Sequence, residues 1–179
     1  MYKLVVIDLD NTLLNNEHQI SQRNLAVVKK VKEQGIEVII ATGRMFISAQ
    51  PYLERLELKN EAIVYNGAMV KDIKSGKMMY HKPIKEKQAR EIIKDIQKEG
   101  LHINLYQNDQ LYVDNENEYS LRYEKISGIT AIQVDNLVEL DFDDPTKLLI
   151  IEDDPEKQKY YQKYLRDKYG NRIDVTQSK

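Results

Sequence analysis

The 179-residue chain contains no cysteine. That excludes a disulfide scaffold, a thiolate zinc site and a cysteine nucleophile. No apolar run approaches the roughly 20 residues that span a bilayer. The apolar stretch before Asp8 is too short for a secretory leader. Neither sign of charge dominates: 27 basic and 29 acidic side chains give a formal net charge of −2. Non-specific nucleic-acid binders show a basic excess instead. A soluble, cytoplasmic protein is expected, with no membrane and no nucleic-acid partner. Other signatures are missing as well. There is no Gly-x-Ser-x-Gly. Ser75-Gly76-Lys77 resembles the end of a phosphate loop but has Lys71 where that loop needs glycine. His18, His81 and His102 lack metal-ligand spacing, which favours surface or cap roles.

What is present alternates between strand and helix patterns. Leu4 to Ile7 is a continuous apolar run, the pattern of a strand buried on both faces. Ser21 is a candidate N-cap, followed by Leu25, Val28 and Val31 on one helix face, with Gly35 as the stop. Ile36 to Ala41 reads as a second strand. A helix follows from Phe46 to Leu56, with a potential kink at Pro51. Ala62 to Tyr65 reads as a third strand. This order predicts an α/β fold with a Rossmann-like parallel sheet.

Beyond residue 66 the pattern changes. Two strands, 68–72 and 77–81, flank a turn at Ser75-Gly76. Residues 85–99 predict an amphipathic helix from Ala89, Ile92, Ile93 and Ile96. Strands follow at 101–106 and 111–113, a helix at 116–125, and strands at 130–134 and 146–151. Pro155 starts a helix with Tyr161, Tyr164, Leu165 and Tyr169 on one face, and 172–176 reads as a last short strand. Residues 1–81 are thus expected to form one unit and 82–179 a second, α+β unit.

The chemistry gathers at two strand ends. The first strand runs into Asp8-Leu9-Asp10-Asn11-Thr12, and open α/β sheets bind ligands just beyond the carboxyl ends of their strands. Two carboxylates two residues apart repel, and favour a divalent cation or a shared proton. The second strand ends in Thr42-Gly43-Arg44: a hydroxyl, a residue permitting close backbone approach, and a guanidinium, all suited to an oxyanion. An Asp-x-Asp alone is most often a solvated turn or a cap. Two such ends about 34 residues apart, each closing an apolar strand with a helix between, make a far more specific pattern. Together they point to phosphoryl transfer assisted by magnesium.

The strings DLDNTLL at 8–14, ATGR at 41–44 and YNGA at 65–68 resemble the haloacid dehalogenase superfamily of phosphatases, in particular its Cof-type branch. The resemblance implies a Rossmann-like core, here incomplete, in residues 1–81, with an α/β cap in 82–179. It implies Asp8 as the nucleophile that forms an aspartyl-phosphate, and Asp10 as the general acid and then base. Magnesium would be held by Asp8 and by the backbone carbonyl of Asp10. Thr42 and Gly43 would contact the phosphoryl group. Arg44 would either bind phosphate or pair with a carboxylate. Asn66 would lie at the mouth of the site or serve only its turn. Asn11 stands where the family usually has glycine.

The family's later lysine and its acidic GDxxND motif have no counterpart in the sequence. Lys147, in DPTKLLII, reads as part of a cap strand. A natural product longer by about 80–100 residues is therefore expected. Two readings follow. One is a magnesium-dependent phosphatase for a small phosphorylated metabolite, a sugar phosphate for example, with a phosphosugar-mutase-like transferase as a variant. The other is a truncated, catalytically inactive binding or assembly module, because the 179-residue chain, without that lysine and acidic motif, is expected to be inactive by itself.

Overall fold

The computed structural model describes residues 2–177; residues 178 and 179, the end of the expected cap, lie outside them. Two compact units are present, one of residues 1–83 with 124–129, the other of 84–123 with 130–179. The stretch 124–129, which the sequence pattern assigns to the second unit, groups with the first.

The first unit holds a five-stranded sheet in the order β1-β2-β3-β4-β5: Leu4–Ile7, Glu37–Ala41, Glu61–Val64, Met69–Asp72 and Met78–His81. β1, β2 and β3 are parallel, and β4 and β5 continue antiparallel as a hairpin. The crossovers are α1 (Gln22–Glu33) and α2 (Phe46–Arg55). Ser21 caps α1, its hydroxyl accepting the Asn24 N–H at 3.1 Å, and Gly35 leaves the helix at φ +72°. α2 continues through Pro51 without interruption.

The two-face burial expected of β1 is not observed. It is an edge strand, and Leu4 and Val6 are 46% and 51% exposed. On the neighbouring strands the face bearing Val38, Ile40, Ala62 and Val64 is buried. The continuous apolar run suits burial on both faces, but as the edge strand of this sheet β1 has a single neighbour, β2, which leaves Leu4 and Val6 uncovered, as the incomplete core expected from the sequence implies.

The second unit is a sheet in the order β8-β7-β6-β9: Ile132–Gln133, Gln110–Val113, His102–Gln107 and Lys147–Ile151. Its helices are α3 (Glu86–Lys98) and α5 (Pro155–Tyr169), and α4 spans Glu118–Ser127. Residues 172–176 form no strand, contrary to the pattern reading. Arg172 and Ile173 instead donate their N–H groups to the Tyr169 carbonyl, extending the turn after α5. Among the described residues no helix is long and apolar enough to cross a membrane.

Alternate residues of β6 serve different purposes. Ile103 and Leu105 join Ala89, Ile92, Ile93 and Ile96 of α3 and Leu165 and Tyr169 of α5 in the core. α3 and α5 are tied at Asp95. Its Oδ2 accepts from Tyr169 Oη at 2.6 Å and from Tyr164 Oη at 3.2 Å. Burial, then the bond to Asp95, pushes the Tyr169 hydroxyl up to about 12. Ile93 is fully buried. Ile93→Ala should cost about 2–5 kcal/mol through lost burial and a residual cavity, read as a lower urea midpoint of the second unit. A change below about 1 kcal/mol would show that α3 is not packed as described.

On the opposite face of β6, His102, Asn104 and Tyr106 are buried polar or aromatic groups. Both ring nitrogens of His102 are engaged: Nε2 with Asn104 Oδ1 at 2.8 Å and Nδ1 with Asn117 Nδ2 at 3.1 Å. An amide nitrogen only donates, so Nδ1 accepts and the imidazole is neutral. Asn117 Oδ1 meanwhile caps α4, accepting from the Tyr119 and Ser120 N–H groups. Protonated His102 would set two donors against each other. Burial holds this histidine below its usual range, opposed by the bond to Asn104 and the charge of Asp114. A lowered folded-state value means that its stabilisation is complete above about pH 6.5 and is lost as pH falls through the lowered value. Urea titrations should show that loss in the wild type, with its slope removed in His102→Gln. An identical pH dependence in both proteins would refute the assignment.

Candidate active site

The first motif leaves β1 through Asp8, still extended at φ −77° and ψ 153°, whose Oδ1 accepts the Leu9 N–H at 2.7 Å. Residues 9–13 then form one wide turn, closed by the Leu14 N–H to the Leu9 carbonyl at 2.9 Å. Buried Leu9 and Leu13 anchor it, while Asp8 is exposed and Asp10 half-buried. Asn11 has φ +58°. That left-handed conformation favours glycine, and asparagine is the side chain that tolerates it best. The departure from the usual glycine therefore leaves the turn intact.

The second motif leaves β2, the neighbour of β1, through Thr42. Thr42 is buried and donates its N–H to the Ile63 carbonyl at 2.9 Å. Its Oγ1 accepts the Arg44 N–H at 3.2 Å, which leaves the hydroxyl proton available for a ligand. Gly43 allows close approach: a Cβ here would lie 2.7 Å from Asn66 Oδ1. Asn66 also donates its N–H to the Thr42 carbonyl at 3.1 Å, and Tyr65 donates to that of Arg44 at 2.9 Å. Tyr65 and Asn66 hold φ of +53° and +56°, successive left-handed residues of a kind that costs energy and clusters at functional sites. Asn66 thus occupies a turn and also abuts the second motif.

The two motifs are joined by a two-pronged ion pair. Arg44 Nε donates to Asp10 Oδ2 at 2.8 Å and Nη2 donates to Asp10 Oδ1 at 2.7 Å. Of the two uses open to Arg44, the observed one is the carboxylate pair. The hydrogen bond from Arg44 holds the Asp10 carboxyl below the usual carboxylate range, against partial burial, and the same bond raises Arg44. Asp8 and Asp10 therefore differ: among the described residues one is exposed and bonded only to its neighbour's amide, the other is clamped.

Sequence reasoning missed three contributors. His18, at φ +54° in the loop between the bridged residues Leu14 and Ile20, brings Nδ1 to 3.7 Å from Asp10 Oδ1. Nothing in its spacing signals this. Ser48 Oγ accepts from Arg44 Nη1 at 3.3 Å, and the Tyr52 ring lies 5.2 Å from the guanidinium. These two follow Arg44 at four-residue steps, a helical spacing that was legible.

No group of three or more His, Cys, Asp or Glu side chains able to hold a metal is present among the described residues. Magnesium, however, keeps several waters and is commonly held through one or two carboxylates. The exposed Asp8 carboxylate and the Asp10 backbone carbonyl are oxygen donors of the right chemistry for it.

Residues 5–179 match the family model of haloacid dehalogenase-like hydrolases. The phosphatase YwpJ of Bacillus subtilis is 34% identical over 110 residues, covering 62% of this chain and 38% of that protein. The crystal structure of TM0651 from Thermotoga maritima superposes with a TM-score of 0.83 at 31% identity, covering 100% of this chain and 67% of that one. A haloacid dehalogenase-like hydrolase from Bacteroides thetaiotaomicron gives a TM-score of 0.87 at 24% identity, covering 100% and 68%, a likeness of fold. The chain spans about two-fifths of the length of the first curated relatives it matches, 38% to 44%.

Proposed function

The chain belongs to the haloacid dehalogenase-like hydrolases, and from that premise we propose that it supplies the nucleophile and the acid-base group of a phosphatase acting on a small phosphomonoester. The observation that carries this reading is the Asp10–Arg44 pair, which draws the ends of β1 and β2 together beside Thr42 and Gly43. Asp8 attacks phosphorus, the bond to the leaving oxygen breaks, and an aspartyl-phosphate forms. Asp10 gives its proton to the leaving oxygen. Water then attacks the aspartyl-phosphate, Asp10 takes the water's proton, and phosphate departs with Asp8 restored. Thr42 donates its hydroxyl to the phosphoryl oxygens, and Gly43 permits their approach. Magnesium, held by Asp8 and the Asp10 carbonyl, would neutralise charge between the carboxylate and the phosphoryl group.

The clamp on Asp10 bears on this sequence of steps. Both carboxylate oxygens accept from Arg44, the state suited to a base. Delivering a proton first requires the pair to open, and a phosphoryl dianion competes for the same guanidinium.

The test is a panel of phosphomonoesters, sugar phosphates included, assayed on the full-length natural product with and without magnesium. Release of inorganic phosphate that depends on the metal is expected. Transfer to a sugar hydroxyl in place of water would favour the mutase-like variant. Ligand binding with no turnover of any member would favour a non-catalytic module.

A further inference from the structure

We propose that Ser48 is a positioning residue that sets the plane of the Arg44 guanidinium and, through it, the Asp10 carboxylate; its catalytic consequence rests on the phosphatase reading above. Arg44 engages Nε and Nη2 with Asp10, leaving Nη1 for Ser48 Oγ at 3.3 Å. Ser48 is buried, 8% exposed, in the first turn of α2. A serine hydroxyl has one proton, and Ser48 donates its own to the Ser127 carbonyl at 2.8 Å. Ser127 belongs to the stretch 124–129 of the same unit. The direction of the relay is therefore set. The carbonyl takes the hydroxyl proton, the hydroxyl lone pairs face Nη1, and the guanidinium is turned so that its other two nitrogens meet Asp10.

Tyr52 supports the same group from another side. Its ring lies 5.2 Å from the guanidinium carbon, and its hydroxyl donates to the His18 carbonyl at 3.1 Å. Tyr52 limits tilt of the guanidinium, whereas Ser48 limits its rotation in plane. Without Ser48 the fork can still reach a carboxylate but has lost its third fixed point. Placement errors of about 1 Å at a reacting group cost on the order of 100-fold in rate.

The variants Ser48→Ala, Ser48→Cys and Ser48→Thr separate positioning from packing. Cysteine fills the serine volume but is a weak hydrogen-bonding group, whereas threonine keeps the hydroxyl. Ser48→Ala and Ser48→Cys should both lower kcat roughly tenfold to 100-fold with KM little changed, and Ser48→Thr should recover most of it. The loss should vanish when Ser48→Ala is placed in an Arg44→Met background. Full kcat in Ser48→Cys, or losses that simply add, would overturn the proposal. A second measurement needs no activity. Nitrogen NMR of the Arg44 side chain should show separate, slowly exchanging Nη signals in the wild type and averaged ones in Ser48→Ala. An unchanged spectrum refutes the positioning role even in a protein that hydrolyses nothing. A changed spectrum without phosphatase activity removes only the function proposed above.

Discussion

Asp8→Asn is expected to abolish phosphomonoester hydrolysis, with a fall in kcat on the order of 10⁴-fold or more, equivalent to about 5 kcal/mol of barrier. Asparagine has nearly the volume of aspartate but no anionic oxygen to attack phosphorus and form an acyl phosphate. The fold should hardly register the change. Asp8 is exposed, and its only bond among the described residues is the one its Oδ1 accepts from Leu9. The amide oxygen of asparagine can accept the same bond, so stability should stay within about 0.5 kcal/mol. Two measurements on one variant therefore suffice: steady-state phosphate release and the urea midpoint. Undiminished turnover in a folded Asp8→Asn protein would remove Asp8 as nucleophile.

Asp10→Asn is expected to lower kcat by about 10²–10⁴-fold, and here stability falls as well. The amide offers one acceptor where the carboxylate offered two, and sets its N–H₂ against a donor of Arg44. Arg44's side chain is only 13% exposed, so the mismatch is felt, but Asp10's is 38% exposed and solvent screens part of it. A cost of about 1 kcal/mol is expected. Chemistry distinguishes the acid role from mere clamping. An aryl phosphate with a good leaving group needs little protonation as it departs, so its first step should lose less than that of an alkyl phosphate. Equal losses on both esters would falsify the assignment of Asp10 as acid. The variant also alters the acid limb of stability. Because the folded-state value of Asp10 is lowered, its stabilisation is complete above the ordinary aspartate value of about 3.9 and is lost as pH falls through the lowered one. Asp10→Asn should lack that component of acid unfolding.

Short-range pattern was sufficient for much of this protein. The period of Ala89, Ile92, Ile93 and Ile96 marked α3, Ser21 marked the start of α1, and the apolar runs marked β2 and β3. Asp8, Asp10, Thr42, Gly43 and Arg44 stood out because each motif closes a strand, and a parallel sheet brings such ends to one rim. The inferences about helices and strands succeed because backbone periodicity and capping act within a few residues of chain.

Other features were decided by tertiary structure alone. The apolar run at Leu4 to Ile7 suits burial on both faces, but what covers it depends on its neighbours in the sheet, and as an edge strand it has one. The sequence 172–176 has strand-like composition but forms no strand among the described residues. The carboxylate partner of Arg44 lay 34 residues away, and the guanidinium's chemistry suited phosphate equally well. His18 and the Ser48–Ser127 bond join segments 8 and 79 residues from their partners, across loops whose paths no periodicity encodes. Local preference determined which residues could do chemistry. Chain closure over long separations determined which of them meet, because that choice depends on the packing of every element between them.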